Sequence, residues 1–223
     1  MITHAMEDYL KAIYLLQKGK EEKVPTSVIA QHMHVSAASV TGMIRKLASM
    51  ELLNHNSYHG VKLTEGGEKI AQEVVRHHRL LELYLVEIMG FTWDKVHHEA
   101  DKLEHVISEE FEEKMAEALG HPTIDPHGHT IPTKEGNLKE TSYEILAEID
   151  AGSFVTVRQV NDGIPEMLRY LAGLGLIPGA RVQVVAKAPF NGPLCLKIKG
   201  CEHHVGREVA RNVFVEMSVQ GND

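Results

Sequence analysis

Apolar residues recur near a 3.6-residue period over residues 4–18, where Met6, Leu10, Ile13, Tyr14 and Leu16 mark one face of a helix. A polar turn, Gly19 to Lys23, follows. Pro25, Thr26 and Ser27 can open a second helix through Met33, since proline is tolerated at a helix start and a neighbouring hydroxyl can cap it. His34 and Val35 read as a tight turn. Ser36 then caps a third helix to about Ser49, with Val40, Met43, Ile44 and Leu47 on its buried side. Leu52-Leu53, a polar tip from Asn54 to Gly60, and Val61-Lys62-Leu63 form a short hairpin. Helix, helix-turn-helix and hairpin in this order make a winged helix-turn-helix.

Thr64 to Glu68 resembles a capping box and opens a long helix to about Met89, ended by Gly90. A further helix is expected from about Asp94 to Leu119, with Val96, Ala100, Leu103, Ile107, Phe111 and Met115 at spacings of three and four. The segment His121 to Pro132 is a loop rich in breakers and ligand-type side chains, and Thr133 to Thr141 reads as a linker. Short strands follow at 154–157, 182–185, 195–198 and 214–217, with a small helix at Pro165–Leu174 and a turn at Gly175–Gly179. Five or so strands in about 80 residues predict a small SH3-like barrel. The expected fold class is mainly α with small β. A winged helix-turn-helix occupies 1–63, a helical dimerisation and metal-binding domain 64–141, and an SH3-like domain 142–223. Val74, Leu81, Leu85 and Ile88 exceed what one neighbouring helix covers, which predicts a homodimer.

Composition sharpens this picture. No apolar run approaches the roughly 20 residues of a membrane span. Met1-Ile2-Thr3-His4 begins no signal peptide, so a cytoplasmic protein without a membrane partner is expected. The two cysteines, Cys195 and Cys201, have no zinc-type spacing and read as small strand residues. The net charge of −8 is unevenly spread. Residues 1–63 carry seven Lys/Arg against five Asp/Glu, and the remaining 160 carry sixteen against twenty-six. The acid therefore lies outside the module that would meet double-stranded DNA. Within it, Ser36, Ala37, Ala38, Ser39, Thr41 and Gly42 begin the third helix and face the major groove or its flanking phosphates. Arg45 and Lys46 are placed to neutralise phosphates.

Fifteen histidines are many for 223 residues, and several stand beside carboxylates. His78 and Glu82 lie one helical turn apart, and His97, Asp101, Glu104 and His105 share one sector of a helical wheel beside the apolar stripe. With the early Asp8 they offer oxygen and imidazole ligands without thiolate, a set suited to Mn²⁺ or Fe²⁺. The same ligand types activate water, so a metal-dependent hydrolase is the enzymatic alternative. No nucleophile or base motif accompanies them, and neither enzymatic activity nor a small organic substrate is expected.

These residues carry a family resemblance over nearly the whole chain. Met6-Glu7-Asp8-Tyr9-Leu10, Val35 to Thr41, His77-His78-Arg79-Leu80, Val96-His97-His98-Glu99-Ala100 and Leu103 to Ser108 are similar to the diphtheria-toxin-repressor family of iron- and manganese-dependent regulators. Gly173 to Gly179 resembles the ferrous-transport accessory domain that closes its longer members. The resemblance implies a metal-dependent, operator-binding, dimeric repressor of metal-uptake genes, responding to Mn²⁺ or alternatively Fe²⁺. It implies an activating site of Asp8, Asp101, Glu104 and His105. Iron-responsive members have Met and Cys where this chain has Asp8 and Asp101, so the departure points to the manganese branch. Lys11 stands where short manganese regulators have a further Glu, which counts against a coupled two-metal cluster. A second implied site takes His78, Glu82 and His97 with an acid from the barrel, Asp162. The Asp125-Pro126-His127-Gly128 loop adds Asp125, and His127 beside it, where some manganese regulators use a cysteine. His78 fits either site.

Overall fold

The computed structural model describes residues 2–17, 23–56, 60–134, 136 and 141–218. Most of the polar turn expected at 19–23, the wing tip at 57–59 and linker residues 135 and 137–140 lie outside the described residues. The chain divides into two units. One comprises Met1–His78, Lys102–Glu109 and Pro132–Leu138, the other Arg79–Asp101, Glu110–Ile131 and Lys139–Asp223.

In the first unit, α1 (His4–Leu16), α2 (Thr26–His32) and α3 (Ala37–Ser49) turn their apolar faces to one core. Met6, Leu10 and Ile13 of α1 join Ile29 of α2 and Val40, Ile44 and Leu47 of α3, all fully buried. The Ser36 hydroxyl caps α3 as expected, accepting from Ser39 N–H at 3.2 Å. The start of α2 differs from expectation. Pro25 itself holds the cap position, no side chain caps it, and the Pro25 carbonyl accepts from Val28 and Ile29. Strands β1 (Leu53–Asn56) and β2 (Gly60–Leu63) pair antiparallel with Leu53 opposite Leu63, and Val24 exchanges two backbone hydrogen bonds with Val61. Gly60 has φ +85°, and a Cβ there would lie 2.4 Å from the Val24 carbonyl oxygen, so only glycine lets that third chain approach. Helix α4 (Glu65–Glu87) begins with the Thr64 hydroxyl accepting from Gly67 N–H at 3.2 Å. A glycine at that third position leaves the reciprocal half of a capping box unmade.

The single helix expected from about Asp94 to Leu119 is two helices, α5 (Val96–Leu103) and α6 (Glu109–Ala118). Val106 N–H bonds back only three residues, to Leu103, and the Glu104 carbonyl is taken by His77 Nδ1 at 3.0 Å. Apolar spacing of three and four runs on through the break, so the periodicity does not register it. Glu104 and His105 therefore stand in a turn, where a helical wheel no longer describes them.

The carboxyl-terminal region of the second unit is a six-stranded antiparallel sheet in the order β3-β8-β4-β5-β6-β7. The strands are β3 (Glu144–Ile145), β4 (Phe154–Val160), β5 (Arg181–Lys187), β6 (Leu194–Ile198), β7 (Cys201–Val205) and β8 (Val213–Met217). Helix α7 (Pro165–Leu174) has proline at its start and Gly175 at φ 77° at its end, the asymmetry its sequence predicts. A short α8 (Arg207–Ala210) precedes β8. Val155, Val157, Leu168, Leu171, Val184, Leu196 and Val215 are among the fully buried core residues. Among the described residues no ladder joins β3 to β7, so the sheet is SH3-like but open. Its first strand has only two residues before the chain tightens into a 3₁₀ turn at Leu146–Glu148, too short to close a barrel.

Of the four residues expected to need a partner subunit, Val74, Leu81 and Leu85 are buried within the single chain, while Ile88 is 53% exposed. No described helix is long and apolar enough to cross a membrane.

Candidate metal centres

The first unit brings Asp8, Glu104 and His105 together, with ligand atoms all within 4.8 Å of one another. Asp8 projects from α1, while Glu104 and His105 come from the turn after α5. His105 Nε2 lies 2.8 Å from Asp8 Oδ1 and 3.4 Å from Glu104 Oε1. His105 Nδ1 donates to Glu7 Oε2 at 2.7 Å. A carboxylate behind one imidazole nitrogen fixes the tautomer and presents the other nitrogen to a metal. His4 stacks on the His105 ring at 5.0 Å. Glu104 is buried, and its Oε2 lies 2.5 Å from His78 Nδ1 and 2.7 Å from Lys11 Nζ. The His105 Nε2 nitrogen facing one oxygen each of Asp8 and Glu104 is a donor set that fits a hard divalent cation.

The second unit assembles Glu82, His97, His127 and Asp162 from α4, α5, the 125–130 loop and the residues after β4. His97 Nδ1 lies 3.1 Å from Glu82 Oε1 and 3.9 Å from Asp162 Oδ2. His127 Nδ1 lies 3.5 Å from Glu82 Oε2, both side chains fully buried. The loop is shaped by Asp125, whose Oδ1 accepts from the N–H groups of His127 and His129 at 2.8 and 2.9 Å. Asp125 Oδ2 accepts from His129 Nδ1 at 3.2 Å, with Arg79 Nε at 3.8 Å. Gly128 has φ +94°, and a Cβ there would lie 2.0 Å from the Arg158 carbonyl oxygen, so glycine lets the loop dock on β4. Val160 N–H then bonds the His127 carbonyl at 2.9 Å, which brings Asp162 to the loop.

His127 supplies the test of fit. Its Nε2 donates to the Trp93 carbonyl at 2.9 Å, so Nε2 carries the hydrogen and Nδ1 is turned to Glu82. That buried Nδ1 makes no hydrogen bond among the described residues. Burial opposes charge on this ring, yet Glu82, Asp125 and Asp162 outweigh it and push its pKa up to about 9. His129 is raised as well, burial again opposing and Asp125 and Asp162 prevailing. A field this favourable to a proton is favourable to a divalent cation, and the residues fit one.

Comparison with known proteins decides the family. A family model described as "Iron dependent repressor, N-terminal DNA binding domain" matches residues 1–61, and "Iron dependent repressor, metal binding and dimerisation domain" matches residues 64–133. The chain is 32% identical to "Iron-dependent repressor IdeR" of Mycobacterium tuberculosis (strain ATCC 25618 / H37Rv) over 96% of its own length and 98% of that protein. The chain belongs to the iron-dependent repressor, or diphtheria-toxin-repressor, family. A "FeoA domain" model matches residues 145–217 of this repressor-family chain. Among solved structures, "Manganese-dependent transcriptional repressor complex with manganese" superposes with a TM-score of 0.88 at 36% identity, covering 96% of this chain and all of that one. "Crystal Structure of ScaR with bound Zn2+" follows at 0.79 and 34%, covering 95% and 98%.

Measured against the family pattern, Asp8, Glu104 and His105 meet in one unit, and Glu82, His97, His127 and Asp162 in the other. His78 lies against Glu104 in the first unit, and Asp101 Oδ2 lies 3.7 Å from His97 Nε2 in the second. Asp125 touches His129 and shapes the loop. Sequence reasoning missed Glu7, His129 and the role of Lys11. The signal for Glu7 was its place beside Asp8, and for His129 its spacing of four from Asp125. The residues expected at DNA are all exposed: Ser36 at the cap of α3, and Ala37, Ala38, Ser39, Thr41, Gly42, Arg45 and Lys46 on the helix. The hydroxyl of Thr41 donates to the Ala37 carbonyl at 2.8 Å.

Proposed function

We propose that this family member is a Mn²⁺-activated transcriptional repressor that binds double-stranded operator DNA as a homodimer and controls metal-uptake genes. The observation that carries the reading is the sulfur-free group of Asp8, Glu104 and His105, built into the same unit as the helix-turn-helix. Oxygen and imidazole ligands favour Mn²⁺ through hardness, whereas raw affinity would favour later metals. When bound, the ion supplies the positive charge that ties Asp8 of α1 to the turn at Glu104 and His105. Leu10 and Ile13 of α1 share a core with Val40, Ile44 and Leu47 of α3, so fixing α1 bears directly on the reading helix. Glu82, His97, His127 and Asp162 hold a second ion, with Asp125 and His129 organising the loop. Ile88, Met89 and Phe91 are exposed in the second unit and support self-association through the dimerisation domain. The named relatives are regulators, which supports a non-enzymatic role over the hydrolase alternative.

The test is anaerobic binding to a duplex selected from a random pool by the Mn²⁺-loaded protein, comparing Mn²⁺, Fe²⁺, Zn²⁺ and chelator. Binding with Mn²⁺ that chelator and Asp8→Ala both abolish is the expected result. Equal binding with and without chelator would overturn metal activation. A response to Fe²⁺ in preference to Mn²⁺ would make the chain an iron sensor, as the name of its mycobacterial relative states for that protein.

A further inference from the structure

We infer that Lys11 is a tethered cation that sets the metal threshold of the Asp8–Glu104–His105 centre, holding Glu104 in the metal-free protein and opposing a divalent ion there. The inference rests on reading those three residues as metal ligands.

Lys11 Nζ donates to both oxygens of Glu104, at 2.7 Å to Oε2 and 3.0 Å to Oε1, and lies 3.0 Å from His78 Nδ1. The Glu104 side chain is 1% exposed and that of Lys11 13%. A carboxylate so deeply buried requires a compensating charge, because an isolated ion in the interior is strongly disfavoured. Lys11 follows Asp8 by three residues on α1, so ammonium and Asp8 carboxylate reach the same turn from one face of one helix. The Glu104 oxygen that faces His105 Nε2 at 3.4 Å is one of the two that the ammonium holds.

A divalent ion taken up by Asp8, Glu104 and His105 therefore meets a positive charge bonded to one of its own ligands. If the ammonium stays, two cations share one carboxylate in a poorly solvated site; if it swings out, the ion pair with Glu104 is lost. Both costs fall on the metal-bound form alone. Lys11 thus stabilises the metal-free state and raises the metal concentration at which the centre fills.

The experiment titrates MnCl₂ into the full chain carrying His127→Ala, which silences the second centre, with calorimetry and the electron paramagnetic resonance signal of free aqueous Mn²⁺ as readouts. Lys11→Met keeps the apolar stem and removes the charge. It is expected to lower Kd about tenfold or more, equivalent to about 1.4 kcal/mol, and to lower the melting temperature of the metal-free protein. Lys11→Arg keeps the charge and should retain the weak binding. Lys11→Gln repeats the test should Lys11→Met not fold. Mn²⁺ binding that is unchanged or weaker in the uncharged variants overturns the inference. Adding His105→Ala separates the two levels of the argument. Loss of the remaining binding supports the centre, and full-strength binding would refute the centre itself whatever Lys11 does.

Discussion

His127 Nδ1 and Glu82 Oε2 face each other at 3.5 Å, both side chains fully buried, while the other His127 nitrogen is committed to the Trp93 carbonyl at 2.9 Å. That separation is at the outer limit of a hydrogen bond, so the pair is held close without being closed. The His127 ring also stacks on Trp93, with ring centroids 5.5 Å apart. Glu82→Gln preserves volume and removes the anionic ligand. Mn²⁺ bound per subunit, measured by equilibrium dialysis, should fall by one equivalent while the fold persists by circular dichroism. Undiminished stoichiometry would count against this centre.

Gly42 stands within α3, exposed, and a Cβ there would meet nothing within 4 Å. The protein's own packing gives no reason for a glycine that costs a helix roughly 0.5–1 kcal/mol relative to alanine. Close approach of DNA in the proposed operator complex would. Gly42→Ala should therefore raise the melting temperature while weakening operator binding, and Gly42→Leu should abolish binding with the fold intact. Calorimetry and fluorescence anisotropy read the two effects separately. Unaltered DNA affinity in the Gly42→Leu variant would remove this helix face from the interface.

Lys46 and Arg45 are exposed on the same helix, whose buried stripe is Val40, Ile44 and Leu47. A phosphate contact contributes to affinity for every sequence and to its salt dependence. Lys46→Ala is expected to weaken specific and nonspecific duplexes alike and to reduce the log–log salt slope by about one. A change confined to one operator position would mean that Lys46 reads a base.

Asp94 is buried just ahead of α5 and accepts from Arg169 of α7 at 2.9 Å. Burial raises its pKa, but hydrogen bonds from Arg169 and Thr92 prevail and hold the carboxyl below its usual range. A carboxyl depressed by folding stabilises the native state above its unfolded pKa, near 4, and that contribution is lost as pH falls towards the folded value. Melting temperatures between about pH 5 and pH 2 should fall more steeply in the wild type than in Asp94→Asn. Parallel curves would show that the Arg169 pair does not couple to folding.

Local pattern alone identified the apolar faces of α1 and α3, the Ser36 cap, the hairpin and the proline-to-glycine frame of α7. Each depends on residues within a few positions of one another, where backbone geometry and burial leave little choice. The candidate donor types were legible too, since carboxylates and imidazoles are named by the sequence itself, but their helical spacing did not extend to Glu104 and His105. Tertiary structure decided the rest. The break after Leu103 is invisible to periodicity, because the apolar spacing continues while His77 takes the Glu104 carbonyl from 27 residues away. Lys11 reads in the sequence as a departure from a family pattern. Only the fold carries its ammonium to Glu104, 93 residues later, and makes it the counter-ion of a buried carboxylate. His129 became a partner of Asp125 and Asp162 once Gly128 let the loop lie on β4. A sequence states which groups are available, but long-range proximity in a poorly solvated interior determines which charges must answer one another.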